Sequence, residues 1–137
     1  MDDRLPDPPL EECDVLVVDD DFALSEAITQ LLTRSGLRVR KAHNASAALS
    51  FAAFAPPRVA ILDYQLPDTT GLALATELRA ENPTLHIILM SANNVDIDRK
   101  TLDQAGIKVF VPKPMPPGPL RQAVLRLLVV SVSMRSC

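Results

Sequence analysis

Five polar side chains of complementary chemistry each follow a short apolar run of the sequence. The carboxylates are Asp19, Asp20 and Asp63, the hydroxyl is Ser91 and the ammonium group is Lys113. Carboxylates that lie a few ångströms apart raise one another's pKa, so three of them together need cations beside them. A lysine ammonium group and a hard divalent metal ion are suitable cations for such a group.

Mg²⁺ fits this set because it prefers octahedral oxygen ligands and keeps several waters. One or two carboxylates and a carbonyl therefore suffice to hold it. A carboxylate held between a metal ion and Lys113 can act as a nucleophile towards a phosphoryl donor. The two cations would neutralise the oxygens of the transferred group, and the Ser91 hydroxyl would hydrogen bond one of them. The residue types therefore indicate phosphoryl transfer to a carboxylate.

The apolar runs that precede these residues have the character of buried strands. They are Val15–Val18, Leu37–Val39, Val59–Leu62, Ile87–Met90 and Val109–Val111. Most are nearly continuous, which is typical of strands buried on both faces of a parallel sheet. The second run lies in the alternating stretch LRVRK, which predicts an edge strand.

Helical patterns lie between the runs. The first begins near Leu24 and ends at Gly36, the second is capped by Asn44 and stopped by Pro56, and the third ends near Asn82. Strands that alternate with helices predict right-handed crossovers and a parallel sheet covered on both faces. Ligands of such sheets bind at the carboxyl ends of the strands, where the five polar side chains are predicted to meet.

The last two helices have weaker patterns. The fourth is predicted over Val95–Ala105, with Gly106 as its cap, and it has few apolar anchors. The fifth is predicted to begin at Pro119. We interpret His43 as a surface residue and His86 as the entry to a strand.

Four stretches of the sequence, taken together and in their order, resemble the receiver domain of two-component response regulators. They are VLVVDDD, VAILDYQLPDTTGL, IILMSA and VFVPKP. The resemblance covers roughly Asp14–Val130. Within the family, the chain is most similar to stand-alone receivers of the chemotaxis-regulator type. It implies a three-layer αβα sandwich of the flavodoxin-like type, with five parallel strands in the order 2-1-3-4-5.

The resemblance also implies a role for each matching residue. Asp63 is the phosphoacceptor, Asp20 and the backbone carbonyl of Gln65 bind Mg²⁺ together with Asp63, and Asp19 acts through water. Lys113 bridges to the phosphoryl group. The Ser91 hydroxyl is implied to move onto the phosphoryl group, and Phe110 is implied to be the aromatic switch residue. Gln65 and Asn93 are implied to tune the rate of self-dephosphorylation. The Lys113-Pro114 bond is implied to be a cis peptide.

Three positions depart from the usual pattern of the family. Phe110 has no hydroxyl, so an output that depends on a tyrosine hydroxyl is not available. Leu66 stands where a methionine is common. Pro112 directly before Lys113 removes a backbone donor at the end of the fifth strand.

Composition limits the other possibilities. The 137 residues suffice for one domain, and 47% apolar and 23% charged residues exclude a disordered chain. A net charge of −3 gives no general attraction to nucleic acid or to an anionic membrane. No apolar run approaches the roughly 18 residues of a membrane span. The start lacks the features of a secretory signal, so we expect a cytoplasmic protein.

We expect residues 1–12 to form a disordered, proline-rich tail, residues 13–130 the receiver domain and residues 131–137 a C-terminal tail. The implied partners are a sensor histidine kinase or a histidine phosphotransfer protein, and a downstream protein target. Leu125, Val129 and Val132 form a second apolar line on the last helix, which suggests a homodimer or a partner contact.

Other functions remain open at this stage. The chain could be a receiver excised from a hybrid histidine kinase or a DNA-binding regulator, or a non-phosphorylated pseudo-receiver that only binds partners. A phosphatase of the haloacid dehalogenase type would need a second aspartate two residues after the nucleophile, where this chain has Gln65. The expected role is therefore a signalling phosphoprotein whose only hydrolysis is its own dephosphorylation.

Overall fold

A parallel sheet of five strands forms the centre of the molecule. The computed structural model describes residues 13–92, 96–113 and 115–130, and the backbone of residues 131–136. The strands are β1 (Val15–Val18), β2 (Val39–Ala42), β3 (Val59–Asp63), β4 (His86–Ser91) and β5 (Ile107–Pro112). They pair in the order β2-β1-β3-β4-β5, and every pair is parallel. This order confirms the prediction.

Five helices connect and cover the strands. They are α1 (Phe22–Arg34), α2 (Ala45–Phe54), α3 (Gly71–Glu81), α4 (Arg99–Gln104) and α5 (Pro117–Ser136). Alternate side chains of the strands enter two apolar clusters, one on each face of the sheet. Leu16 and Leu62 pack with α2, α3 and α4, whereas Val17 and Ile61 pack with α1 and α5. The molecule is therefore the three-layer sandwich that was predicted.

The burial of the strands explains their sequence patterns. Every residue of β1, β3 and β4 is buried, in keeping with their nearly continuous apolar runs. β2 lies at one edge, as predicted, but its burial does not alternate strictly and it begins at Val39 rather than Leu37. The Leu37 N–H instead donates to the Leu32 carbonyl, 3.2 Å away, and completes the turn after α1. Gly36 makes this turn with a φ of 90°.

The boundaries of two helices differ from those predicted. α4 begins at Arg99, four residues after the predicted Val95, which lies outside the described residues. The reason is the side chain of Asp98, which accepts a hydrogen bond from the Thr101 N–H and caps the helix there. α5 begins at Pro117, before the predicted Pro119, because first-turn residues need no backbone donor and proline is tolerated there.

The two predicted tails stand differently. Residues 1–12 lie outside the described residues, as does Cys137. The backbone of α5 continues as a helix to Ser136, through most of the segment expected to be a C-terminal tail. Among the described helices, none combines the length and the apolar character needed to cross a bilayer.

Candidate functional site

The carboxyl end of the sheet brings four of the predicted residues into contact. Asp19 and Asp20 follow β1, Asp63 ends β3, and Lys113 follows β5. Carboxylate oxygens of the three aspartates lie within 4.8 Å of one another. Lys113 Nζ lies 3.1 Å from Asp19 Oδ2 and 3.3 Å from Asp63 Oδ1. We call these four residues the acidic site.

The carboxylates of the acidic site differ in their access to water. Asp19 is 0% and Asp63 6% exposed, whereas Asp20 is exposed. Buried carboxylates are costly unless they are paired, and Lys113 supplies one positive charge for two of them. The site therefore carries an excess of negative charge at the point where Asp20 faces solvent.

The pKa values at the site reflect this excess. Burial, and then the charge of Asp19, raise the pKa of Asp63, although Lys113 opposes both effects. Burial alone would lower the pKa of Lys113, but its hydrogen bonds and attraction to Asp19 and Asp63 outweigh burial and raise it. Lys113 therefore stays protonated, and a further cation would favour the ionised form of Asp63.

The three consecutive aspartates have separate tasks. Asp19 Oδ1 accepts a hydrogen bond of 2.8 Å from the Asp21 N–H, and its Oδ2 contacts Lys113. Asp21 caps α1, since its Oδ1 accepts the Leu24 N–H at 3.0 Å. Asp20 is thus the exposed carboxylate that remains to face a cation at the site.

Ser91 follows Met90, the β4 residue that pairs with Asp63. It is buried at the last position of the strand, and its hydroxyl donates to the Ala92 carbonyl at 3.1 Å. Its own carbonyl accepts the Lys113 N–H at 2.7 Å, which joins the ends of β4 and β5. The Ser91 hydroxyl is therefore hydrogen bonded to the next residue, while the Ser91 carbonyl holds the backbone of Lys113, whose side chain contacts the carboxylates.

The structure gives the positions of two of the remaining predicted residues, Gln65 and Phe110. Gln65 is exposed and forms an isolated bridge with Thr70 in the loop after β3. Phe110 lies on β5, half-buried against the apolar cluster that α2, α3 and α4 cover. Asn93 lies outside the described residues, as does Pro114 of the predicted cis peptide.

Gly71, which the sequence analysis did not single out, allows α3 to begin directly against the site. Its N–H donates to the Tyr64 carbonyl at 2.6 Å. A Cβ atom at this position would overlap the Asp63 carbonyl oxygen and lie 2.9 Å from Leu89 Cδ1. Glycine is required here because the backbone of Asp63 and the start of α3 approach so closely.

His43 is the one histidine whose predicted position is wrong. It was expected at the surface, but it is half-buried, with Nδ1 3.0 Å from the Asp19 carbonyl oxygen. Its ring stacks on that of Phe22, with the centroids 3.9 Å apart. Local sequence carries no signal for this contact, because His43 and Asp19 lie on different strand–helix connections. His86 begins β4, as predicted.

Comparison with known proteins decides the family. The model of the response regulator receiver domain matches residues 15–125. The chain belongs to the response regulator receiver family. The receiver domain is similar to the probable transcriptional regulatory protein TcrX of Mycobacterium tuberculosis, with 37% identity over 113 residues, 82% of this chain and 47% of TcrX.

Two further similarities agree with this assignment. The DNA-binding transcriptional regulator NtrC of Azospirillum brasilense is 36% identical over 114 residues, 83% of this chain and 24% of NtrC. The receiver domain thus spans less than half the length of these two relatives. A CheY-like receiver structure from Methanospirillum hungatei superimposes with a TM-score of 0.81 at 23% identity, over 90% of this chain and 98% of that one. That likeness supports the fold.

Proposed function

We propose that Asp63 accepts a phosphoryl group from the phosphohistidine of a sensor histidine kinase or a histidine phosphotransfer protein. An oxygen of the Asp63 carboxylate forms the bond to phosphorus, and the bond between phosphorus and the histidine nitrogen breaks. The observation that carries this proposal is the buried Asp63 carboxylate, 3.3 Å from the ammonium group of Lys113. Lys113 is placed to stabilise the charge on the transferred oxygens.

Mg²⁺ is the cation that we propose for the acidic site. Asp20, Asp63 and the backbone carbonyl of Gln65 would hold it directly, and Asp19 through water. The donors fit, because all are oxygens, and the three carboxylates exceed the single charge of Lys113. When bound, Mg²⁺ supplies positive charge beside the phosphoryl oxygens.

We further propose that phosphorylation changes the surface formed by α4, β5 and α5. In the family pattern Ser91 turns its hydroxyl to the phosphoryl group and Phe110 repacks. The structure supports a movable α4, because this helix has six residues and its one buried residue is Leu102. A short, weakly anchored helix can exchange between two arrangements at low cost, and one phosphoryl group then shifts the population.

The proposed chemistry is stoichiometric, with self-dephosphorylation as the only hydrolysis. Gln65 and Asn93 are the proposed tuners of its rate. Gln65 lacks the carboxylic acid that an aspartate-nucleophile phosphatase would use to protonate its leaving group. We also propose that the protein acts in the cytoplasm as a signalling phosphoprotein, without direct contact to nucleic acid or membrane.

The partner surface of α5 is a separate proposal. Val129 is 65% exposed, and Leu125, one turn earlier, is half-buried. A second copy or the downstream target would cover this apolar line of α5. Val132 continues the line, but its side chain lies outside the described residues.

Replacing Leu125 and Val129 with aspartate should abolish self-association or target binding. Unchanged self-association and unchanged target binding would contradict the proposed partner surface. The length of the relatives makes a receiver from a larger regulator the alternative.

Labelling with a small phosphodonor in the presence of Mg²⁺ tests the function. We expect one phosphoryl group per chain in the wild type and in Asp103→Asn, a control on exposed α4. Asp63→Asn should abolish labelling. Repeated turnover of phosphoesters would instead show a phosphatase. Wild-type protein that binds Mg²⁺ but takes no label would show a pseudo-receiver.

A further inference from the structure

The loop between β3 and α3, residues 64–70, makes a contact with α2 that the proposed function does not use. Asp68 Oδ1 accepts the Ala45 N–H at 2.9 Å, and Asp68 Oδ2 accepts the Ser46 N–H at 3.1 Å. These donors are the first two residues of α2, and they lie 23 and 22 residues away in sequence. One exposed carboxylate therefore joins the loop after Asp63 to another helix.

This contact adds to the capping at the start of α2. The Ala47 N–H donates to Asn44 Oδ1 at 2.7 Å, and the Ala48 N–H donates to the Asn44 carbonyl at 3.1 Å. The Ala48 bond is the first bond within the helix, so the Asn44 side chain serves one of the amides that lack an intrahelical acceptor, and Asp68 serves two more. A negative charge at a helix N-terminus is also favourable. Asp68 and Asn44 have equivalent roles for α2, but Asp68 alone belongs to the loop.

The loop itself is held at both ends and turned sharply between them. The Tyr64 N–H donates to the Met90 carbonyl at 2.7 Å, and Gly71 closes the other end on the Tyr64 carbonyl. Between them the Leu66 N–H donates to the Thr69 carbonyl at 3.0 Å, which places Asp68 at the tip of a turn. Fixing Asp68 to α2 therefore restrains the segment that carries the Gln65 carbonyl.

The segment before α2 in turn contacts the backbone of Asp19, a member of the acidic site. His43, two residues before Ala45, contacts the Asp19 carbonyl oxygen through Nδ1. The Asp19 N–H donates to the Ala42 carbonyl at 3.1 Å. A series of contacts thus runs from Asp68 through the start of α2 to the backbone of Asp19 without involving Lys113.

We propose that Asp68 is a positioning residue for the metal site. By holding the β3–α3 loop on α2, it fixes the distance between the Gln65 carbonyl and the carboxylates that follow β1. This inference rests on the proposed function, since it takes the Gln65 carbonyl as a ligand of Mg²⁺. Residues that orient metal ligands from outside typically change metal affinity by about 10- to 100-fold when they are removed.

Mg²⁺ titration of the full chain tests the proposal without phosphorylation. Tyr64 is the single tyrosine, the chain has no tryptophan, and Tyr64 adjoins Asp63, so its emission reports on the site; calorimetry provides a second readout. We expect Asp68→Ala to weaken Mg²⁺ binding about tenfold, and Asp68→Asn, which keeps one acceptor oxygen, to restore part of the loss.

Two further variants separate positioning from helix stability. Asn44→Ala removes the other cap of α2 but leaves the loop contact, so it should lower the thermal midpoint without changing the Mg²⁺ dissociation constant more than about twofold. Ala45→Pro removes one donor to Asp68 at the helix position where proline is favoured, so it should weaken Mg²⁺ binding while α2 stays formed.

With a wild type that binds Mg²⁺, two results would overturn the inference alone: wild-type affinity in Asp68→Ala, or an equal loss of affinity in Asn44→Ala. A wild type that binds no Mg²⁺ would overturn the inference together with the proposed metal site. Failure of the proposed function gives a different pattern. The wild type would bind Mg²⁺ and respond to Asp68→Ala as expected, but it would take no label at Asp63.

Discussion

Asp63 is a buried carboxylate whose charge is only partly compensated by its neighbours. It is buried beside a second buried carboxylate, Asp19, and both share Lys113. The raised pKa of Asp63 shows that one ammonium group does not compensate for burial and the neighbouring charge. A further cation would lower the cost of this charge and keep Asp63 in the ionised form, which is the form that acts as a nucleophile.

Loss of Lys113 should show how much of this compensation it provides. We expect Lys113→Ala to raise the pKa of Asp63 further and to slow labelling by a small phosphodonor about 100-fold at pH 7. The pH dependence of the labelling rate measures both effects. Lys113→Arg keeps the charge and should recover part of the rate. A variant Lys113→Ala that labels as fast as the wild type at every pH would contradict this role.

Gly71 offers a test of the close approach between α3 and the site. Gly71→Ala places a methyl group against the Asp63 carbonyl oxygen and Leu89, and we expect it to lower the free energy of unfolding by about 1–3 kcal/mol. Gly118→Ala on α5 is the matched control, because a Cβ atom there meets nothing within 4 Å. Urea unfolding measures both, and equal stabilities of the two variants would contradict the steric argument.

At the scale of elements, the sequence predicted best those strands that are buried on both faces. The apolar runs of β1, β3 and β4 could be assigned because burial on two faces leaves few polar positions. The predicted start of α4 was wrong because the sequence of this helix is polar. A single capping side chain, that of Asp98, decides where the helix begins. Local patterns are weakest where tertiary packing contributes least.

β4 also contains a buried titratable group. His86 is the first residue of β4, and within the described part of the chain neither ring nitrogen has a hydrogen-bond partner. Burial, and then the charges of Lys108 and Arg79, lower its pKa below 6.5. The unfolded chain therefore takes up a proton at a higher pH than the folded one. The stability from neutral His86 is present above pH 6.5 and is lost as the pH falls below it.

The His86→Leu variant should remove this pH dependence. We expect the variant to gain about 1 kcal/mol at pH 7.5, because a buried polar group without a partner is lost. It should also lose less stability than the wild type between pH 7.5 and pH 5.5. Urea midpoints at the two pH values measure the difference, and His43 remains as the second histidine of the chain. Parallel losses in both proteins would assign the acid sensitivity to other groups.

At the scale of the whole molecule, topology gathers residues that are distant in sequence. The resemblance to receiver domains implied the order of the strands. The meeting of Asp19, Asp20, Asp63 and Lys113 could be predicted because the carboxyl ends of parallel strands lie at one edge of the sheet. The contact of Asp68 with α2 had no signal in sequence, since it joins a loop to backbone amides of a helix 22 and 23 residues away. A side-chain contact between segments this distant in sequence can be assigned only from the three-dimensional structure.

The acidic site should couple metal binding to the stability of the whole chain. The raised pKa of Asp63 means that the folded state binds its proton more tightly than the unfolded state does. Stability from this group is therefore present at low pH and is lost as the pH rises through the raised pKa. At pH 7 without Mg²⁺, we expect Asp63→Asn to be more stable than the wild type by on the order of 1 kcal/mol.

Mg²⁺ should reverse that order. A ligand at 100 times its dissociation constant stabilises the folded state by about 2.7 kcal/mol, so the wild type should gain several degrees in thermal midpoint. Asp63→Asn loses one of the three carboxylates and should gain much less. KCl at the same ionic strength is the control, because screening alone would act on all surface charges. An equal response of both proteins to Mg²⁺ would place the bound ion away from Asp63.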